Sequence, residues 1–438
     1  MSARRLAGAG PAAALGAAVA AALGLAPPGL TAGLAVLAVL VMPVIVSLGL
    51  RAHEPGRRTL LAAFVAAITV RAVVGVTISY AAVAGFFALD DAYYGQVGMQ
   101  MAQHWAGQGP PPPEIHGAVG YYHWNALLFF VLGPVPLAPI LANAAFGGFA
   151  VLLAHGLARD IGGERAARTA AWLTALWPSL VLWSSLNLKD ALAILSILLV
   201  LRGVQRLQAR LTPAGVAAVL AGFAVLSQLR GYLVLVTGVA VALAALLPRL
   251  RAAPLGVGTL LLAAALLVPR LGPVEDLAVE TQLATLDHTR AQMATGDSAY
   301  LEEADVSTPS AAARYLPVGL LYFLLAPAPW QLLSARQLLT LPEMLAWYAL
   351  LPMVALGLVR GLRERFARAL PLASYALLTT LSYALVEGNL GTAYRHRAQV
   401  LVALLVFAAV GLARLGAAPA RAPGRAVPLA LAPREASL

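Results

Sequence analysis

Apolar runs of roughly 18 to 25 residues recur along this chain from end to end, each long enough to cross about 30 Å of hydrocarbon. Short arginine clusters separate them. The apolar–polar alternation of an outer-membrane barrel strand is absent. The pattern predicts an all-α, polytopic transmembrane protein of about twelve spans (range roughly 10 to 14) plus two interfacial helices. The N-terminus, with Arg4 and Arg5 before an apolar stretch, mimics a signal peptide. We read it, and the run at 31–50, as retained helices.

Arginine placement orients the spans, because cytoplasmic loops carry the excess of positive charge. The clusters are Arg51/Arg57/Arg58, Arg159/Arg165/Arg168, Arg202/Arg206/Arg210, Arg249/Arg251, Arg360/Arg363/Arg365/Arg368, and the tail with Arg414, Arg421, Arg425 and Arg434. The intervening segments then face the extracytoplasmic side: 89–121, 272–313 and the short "EGNLGTAYRHR" at 387–397. Parity refines the map. From 121 outside to 159 inside the chain crosses an odd number of times, so 122–134 reads as an interfacial helix and 136–157 as the span. The segment 314–331, broken by Pro317, Pro327 and Pro329, reads as interfacial or re-entrant, which irregular backbone tolerates only against protein or a cavity. The organisation is N-terminal helices (1–58), a transmembrane module (59–250), a second module (251–415) and a disordered cytoplasmic tail (416–438).

Composition changes this picture little. The chain has 438 residues, 61% hydrophobic and only 11% charged, with mean hydropathy +0.81; soluble domains run near a quarter charged. The net charge of +11 follows from the loop arginines, so a nucleic-acid partner is not implied. No cysteine is present, which excludes disulfides and thiolate metal sites.

Candidate chemistry gathers where the map places the outer face. Asp90 and Asp91 in "FFALDDAYYG" follow an apolar run. A single carboxylate there marks the water boundary; two adjacent ones disfavour joint ionisation, which suits a general base or a cation site. Lys189, the chain's only lysine, and Asp190 interrupt "LWSSLNLKDALAIL". Solvated, that pair would be worth about 0–1 kcal/mol as a plain polar hairpin. Arg230 with Tyr232, and Arg395, His396 and Arg397, are cations on the face where arginine is least expected, and their planar donors suit phosphate. Contact with lipid headgroups is the competing reading. Arg71 lies inside a span, either functional or snorkelling. His104, His116 and His123 share the first outer loop but match no zinc spacing. "QGPPPPE" is a stiff spacer.

An early extracytoplasmic acidic pair followed by Tyr ("DDAYY"), an interfacial helix, and a second Asp about 100 residues on ("NLKD") together resemble the GT-C superfamily of membrane glycosyltransferases. The nearest likeness is to family 39, the protein O-mannosyltransferase and lipid A aminoarabinose transferase branch, over 60–230. "YLPVGLLYFLLAPAPWQ" and "GTAYRHR" look like features of bacterial members. The resemblance implies a GT-C-like fold in a bacterial plasma membrane and a polyprenyl-phosphate sugar donor. Asp90 would take the acceptor's proton, and in-line attack would invert the anomeric carbon. Lys189, Arg230, Arg395 and Arg397 would hold the departing phosphate. Asp91 and Asp190 would orient the acceptor, a cation or Lys189, with Tyr93, Tyr94 and His396 in support. Mg²⁺ or Mn²⁺ on Asp90 and Asp91 would suit phosphate. The broken helix at 314–331 would gate lateral lipid access, with Trp330 at the headgroup level.

Two departures concern the acceptor, which is a lipid, a glycan or a protein hydroxyl. "YYHWNALLFF" replaces the branch's Lys-Pro-Pro segment, and no large soluble C-terminal domain follows. The alternatives are a polyprenyl-linked glycan flippase or transporter, where repeats and midplane charges are expected, and an O-antigen-type polymerase resting on outer-loop arginines.

Overall fold

The computed structural model describes residues 28–248 except 116, 279–331 except 297, and 335–415. The expected first helix, the start of the C-terminal module, the tail and His116 lie outside the described residues. Those described are overwhelmingly helical, and the only extended pairing among them is an isolated bridge between Ala299 and Asn389. In chain order the helices are α1 (Pro28–Leu50), α2 (Arg57–Tyr80), α3 (Ala84–Phe87), α4 (Asp90–Trp105), α5 (Val119–Leu132), α6 (Leu137–Leu176), α7 (Pro178–Trp183), α8 (Asp190–Ala209), α9 (Pro213–Leu229) and α10 (Gly231–Leu246). Then come α11 (Val279–Met293), α12 (Pro309–Leu325), α13 (Ala335–Leu338), α14 (Leu341–Glu364), α15 (Phe366–Val386) and α16 (Leu390–Leu415).

Six of these, α1, α2, α6, α14, α15 and α16, are long and apolar enough to cross a membrane, and α9 and α10 are shorter apolar helices. The chain is therefore an all-α protein of membrane-spanning character. Burial ranks the spans: 83% of the apolar window of α6 and 78% of that of α16 is buried, against 33% for α1 and 22% for α14. The first two form the centre, and α1 and α14 present most of their surface outward.

Local chemistry explains the breaks. Thr212 and Thr308 cap α9 and α12 by accepting from the amides of Gly215 and Ala311, each with proline at the first turn. Within α6, Gly163 takes φ 78°, ψ −172°, which favours glycine, and the chain reverses there. The reversal is visible at Arg71. A Cβ on Gly147, before the turn, would lie 2.4 Å from its Nε, and its NH1 and NH2 donate to the carbonyls of Ala175 and Thr174 beyond the turn. The Arg159–Arg168 cluster thus occupies a tight helical hairpin.

The acidic pair opens a helix rather than ending one. Asp90 and Asp91 form the first turn of α4, where the positive end of the helix dipole favours carboxylates. The segment 89–121 is therefore not a plain loop, and neither is 272–313, which carries α11. A helix, α5, stands where one was expected at 122–134, beginning a few residues early. The expected break after 314 is present: α12 stops at Leu325, and a short 3₁₀ turn follows at Pro329–Gln331.

Candidate functional site

Four separate segments deliver charged side chains to one end of the bundle. Asp90 comes from the start of α4, Lys189 and Asp190 from the α7–α8 turn, Arg230 from the α9–α10 turn, and Arg395 and His396 from the first turns of α16. At the opposite end Arg202 meets Asp160 at 2.5 Å, and Arg368 reaches the backbone of Gln205.

Arg395 joins the segments. Its NH1 donates to Asp90 Oδ2 at 3.0 Å across 305 residues of sequence, and its Nε and NH2 donate to Asp190 Oδ2 at 3.0 and 2.7 Å. Arg230 NH2 donates to the other oxygen of Asp190 at 2.9 Å. Asp190 is fully buried and carries two guanidinium partners, the condition under which a buried carboxylate is tolerated. Asp90 stays half exposed, at 51% for its side chain. Arg230 continues the network to Tyr232 Oη at 2.7 Å and to His396 Nε2 at 3.0 Å, and His396 Nδ1 pairs with the buried Glu387.

Lys189 stands apart. Its ammonium lies 5.6 Å from the centre of the Tyr94 ring, with no carboxylate in ion-pair range among the described residues. Burial, reinforced by the charge of Arg230, pulls its pKa down to about 8 despite Asp190. Tyr94 is itself buried against Tyr121 and Tyr122, each at 4.9 Å between ring centres, while Tyr93 is half exposed.

Asp91 faces the other way. Its Oδ2 accepts the backbone N–H of Asn187 at 2.9 Å. Burial raises its pKa, opposed by that same hydrogen bond. Asn187 is held by Asn125 Oδ1 (2.8 Å) and Tyr121 Oη (2.9 Å), and Asn143 ties Tyr121 to the carbonyls of Leu186 and Leu188. This amide network fixes the 186–190 turn between the two carboxylates. Since Asp90 turns to Arg395 and Asp91 to Asn187, the pair as it stands does not converge on one divalent cation. His104 and His123 are exposed and bonded to nearby backbone carbonyls, and the described residues hold no cluster of three or more metal-ligating side chains.

Two arginines singled out in the sequence lie elsewhere. Arg397, expected with the phosphate donors, is buried and donates to the Leu324 carbonyl at 2.9 Å and to that of Ala326, holding the broken end of α12. Arg71 does not snorkel. It is 1% exposed and takes the carbonyls of Thr174 and Ala175, left free because Pro178 has no N–H and the helix breaks there.

Sequence reasoning missed Glu343 and Glu387. Glu343 accepts from Trp177 Nε1, Ser179 N, Ser179 Oγ and Tyr394 Oη at 2.6–2.7 Å, the other half of the staple at the α6–α7 break. Its signal was available, since a carboxylate in an apolar run defaults to a functional candidate. Glu387 lies nine residues before His396, a spacing with no motif.

No protein-family model matches this chain, and no curated protein matches it.

Proposed function

We propose that this chain is an integral membrane glycosyltransferase that moves a sugar from a polyprenyl-phosphate donor to a hydroxyl acceptor, working at the extracytoplasmic face. The observation that carries the reading is the convergence of Asp90, Lys189, Asp190, Arg230 and Arg395 from four segments on one end of an apolar bundle. Three cations there face two carboxylates, and His396 and Glu387 form their own pair. One positive charge is left over, the complement of a phosphodiester. It resides on Lys189, the cation without a carboxylate partner among the described residues.

In this reading the acceptor oxygen attacks the anomeric carbon while Asp90 takes its proton, through the oxygen not engaged by Arg395. The carbon–oxygen bond to phosphate breaks, and polyprenyl phosphate leaves with the electron pair. Charge grows on the phosphate, where Lys189 and Arg395 are already positioned, so they stabilise the transition state more than the ground state. Asp190 touches neither reactant; it holds both guanidiniums in place. In-line displacement gives inversion.

The purified protein in nanodiscs, given a panel of polyprenyl-phosphate sugars, tests this. Donor consumption with sugar appearing on an acceptor supports it, and Asp90→Asn should lower the rate on the order of 10²–10⁴-fold while the protein stays monodisperse. Movement of an intact lipid-linked glycan across vesicles without donor cleavage would replace the reading with a flippase. Unchanged transfer by Asp90→Asn would remove Asp90 as the base.

A further inference from the structure

Beside Asp91 and the 186–187 turn lies a cleft of about 480 Å³. Its walls come from the outward end of α2 (Ile78), α4 (Met99), α5 (Phe129), the start of α6 (Ile140) and the 186–187 turn. They are apolar except at few points: Asp91, Asn187, Ser79, Gln96 and Gln100. Among the described residues no arginine, lysine or histidine lines it. The volume suits one small-molecule-sized group and not a folded partner. Two of the walls, α2 and α6, are candidate membrane helices, so the cleft sits at the end of the apolar bundle.

Asp91 is the feature that points to a ligand. The residue is 8% exposed, and its Oδ2 is taken by the Asn187 amide. Its Oδ1 has no hydrogen-bond partner among the described residues. A carboxyl oxygen that opens into a largely apolar cleft offers an acceptor to a hydroxyl. The absence of cations in the lining argues against an anionic group, and the apolar walls argue against a soluble oligosaccharide.

Resting on the glycosyl-transfer reading above, we propose that this cleft is the acceptor site and that the acceptor is a bilayer-resident lipid alcohol. Its hydrocarbon lies along Ile78, Phe129 and Ile140, and its hydroxyl bonds Asp91 Oδ1 beside Asp90. Asp91 orients the hydroxyl and Asp90 accepts its proton, so two adjacent carboxylates carry two roles. The acceptor cleft and the donor site meet at the 186–190 turn, where Asn187 lines the cleft and Lys189 stands by the cation cluster.

A photoactivatable long-chain alcohol in nanodiscs tests the site without requiring turnover. Adducts should map to Met99, Phe129 and Ile140. Gly95→Leu, where a Cβ meets only Asn187 Nδ2 at 3.6 Å, points a side chain into the cleft and should cut labelling about tenfold. Labelling confined to the outward faces of α1 and α14, or unchanged by Gly95→Leu, overturns the inference. A transfer assay with diacylglycerol, a serine/threonine peptide and a soluble oligosaccharide separates the two levels. Sugar on diacylglycerol alone is the expected result. Sugar on the peptide or the oligosaccharide overturns the lipid acceptor while leaving the glycosyltransferase standing. Cleft labelling without donor consumption under any condition retains a lipid-alcohol site and removes the enzymatic reading on which its role as acceptor rests.

Discussion

Lys189 lies in a setting that burial and a neighbouring guanidinium make hostile to its charge, and among the described residues no carboxylate pairs with it directly. A depressed ammonium pKa means that the charge is lost as pH rises through about 8. For the proposed enzyme, kcat/KM should therefore fall on the alkaline side with an inflection near 8, the free-enzyme value. Bound phosphate favours the ammonium, so the limb in kcat should lie higher. Lys189→Arg should move the alkaline limb out of the accessible range, and Lys189→Met should lower kcat about 10²–10³-fold at neutral pH. A pH–rate series with saturating and limiting donor checks all three. Asp91 shifts in the opposite sense, being raised by burial, so its carboxyl stays protonated to higher pH than a solvated one. The types of these residues were readable in the sequence, and so was their clustering near predicted span ends. Their pairing was not. A run of three, Arg395-His396-Arg397, sends one side chain to Asp190, one to Glu387 and Arg230, and one to the end of α12. Helical rotation of about 100° per residue sets that divergence, but only the neighbours decide what each side chain meets.

Among the elements, the break between α6 and α7 shows how polar groups hold irregular backbone inside an apolar bundle. Arg71 takes the freed carbonyls and Glu343 takes the freed Ser179 amide. Each group left unsatisfied costs about 1–3 kcal/mol. Arg71→Met should therefore lower thermal stability by several such increments, read as an earlier midpoint in a melt of the detergent-solubilised protein. A residue acting only in turnover would leave the melt unmoved. Close packing is the second device. Gly357 and Gly361 form a small-xxx-small step on α14, and a Cβ on Gly357 would lie 1.8 Å from the Phe407 carbonyl oxygen on α16. On α16, a Cβ on Gly411 would in turn lie 2.2 Å from the Met353 carbonyl oxygen. Gly357→Val should separate the two helices and abolish a monodisperse peak in size-exclusion chromatography. The apolar runs, the proline breaks and the threonine–proline starts are local signals, which is why these elements were legible. The reversal at Gly163 was legible as well, since Arg159, Arg165 and Arg168 mark a loop after the 136–157 span; that the turn is confined to one glycine was not.

Across the whole molecule, the arrangement requires residues 90 and 395 to share one end and the 165 hairpin to lie at the other. The chain contains no cysteine, so introduced thiols report without background. Asp90→Cys with Arg395→Cys should be bridged within one molecule by a short bis-maleimide, seen as an unchanged monomer mass plus one linker. In intact cells an impermeant maleimide should label Asp90→Cys and leave Arg165→Cys untouched. The reverse pattern would place the cluster on the cytoplasmic side. Hydropathy and arginine spacing by themselves determined the helical membrane class and predicted one shared face for Asp90, Asp190, Arg230 and Arg395, because span length and charge cost in hydrocarbon are properties of short segments. Tertiary structure alone decided that Arg395 bridges two aspartates, that Arg71 and Arg397 serve broken helices, and that Asp91 turns into a cleft. Those outcomes depend on which side chain fills the space opposite, and the partners lie from tens to hundreds of residues away along the chain.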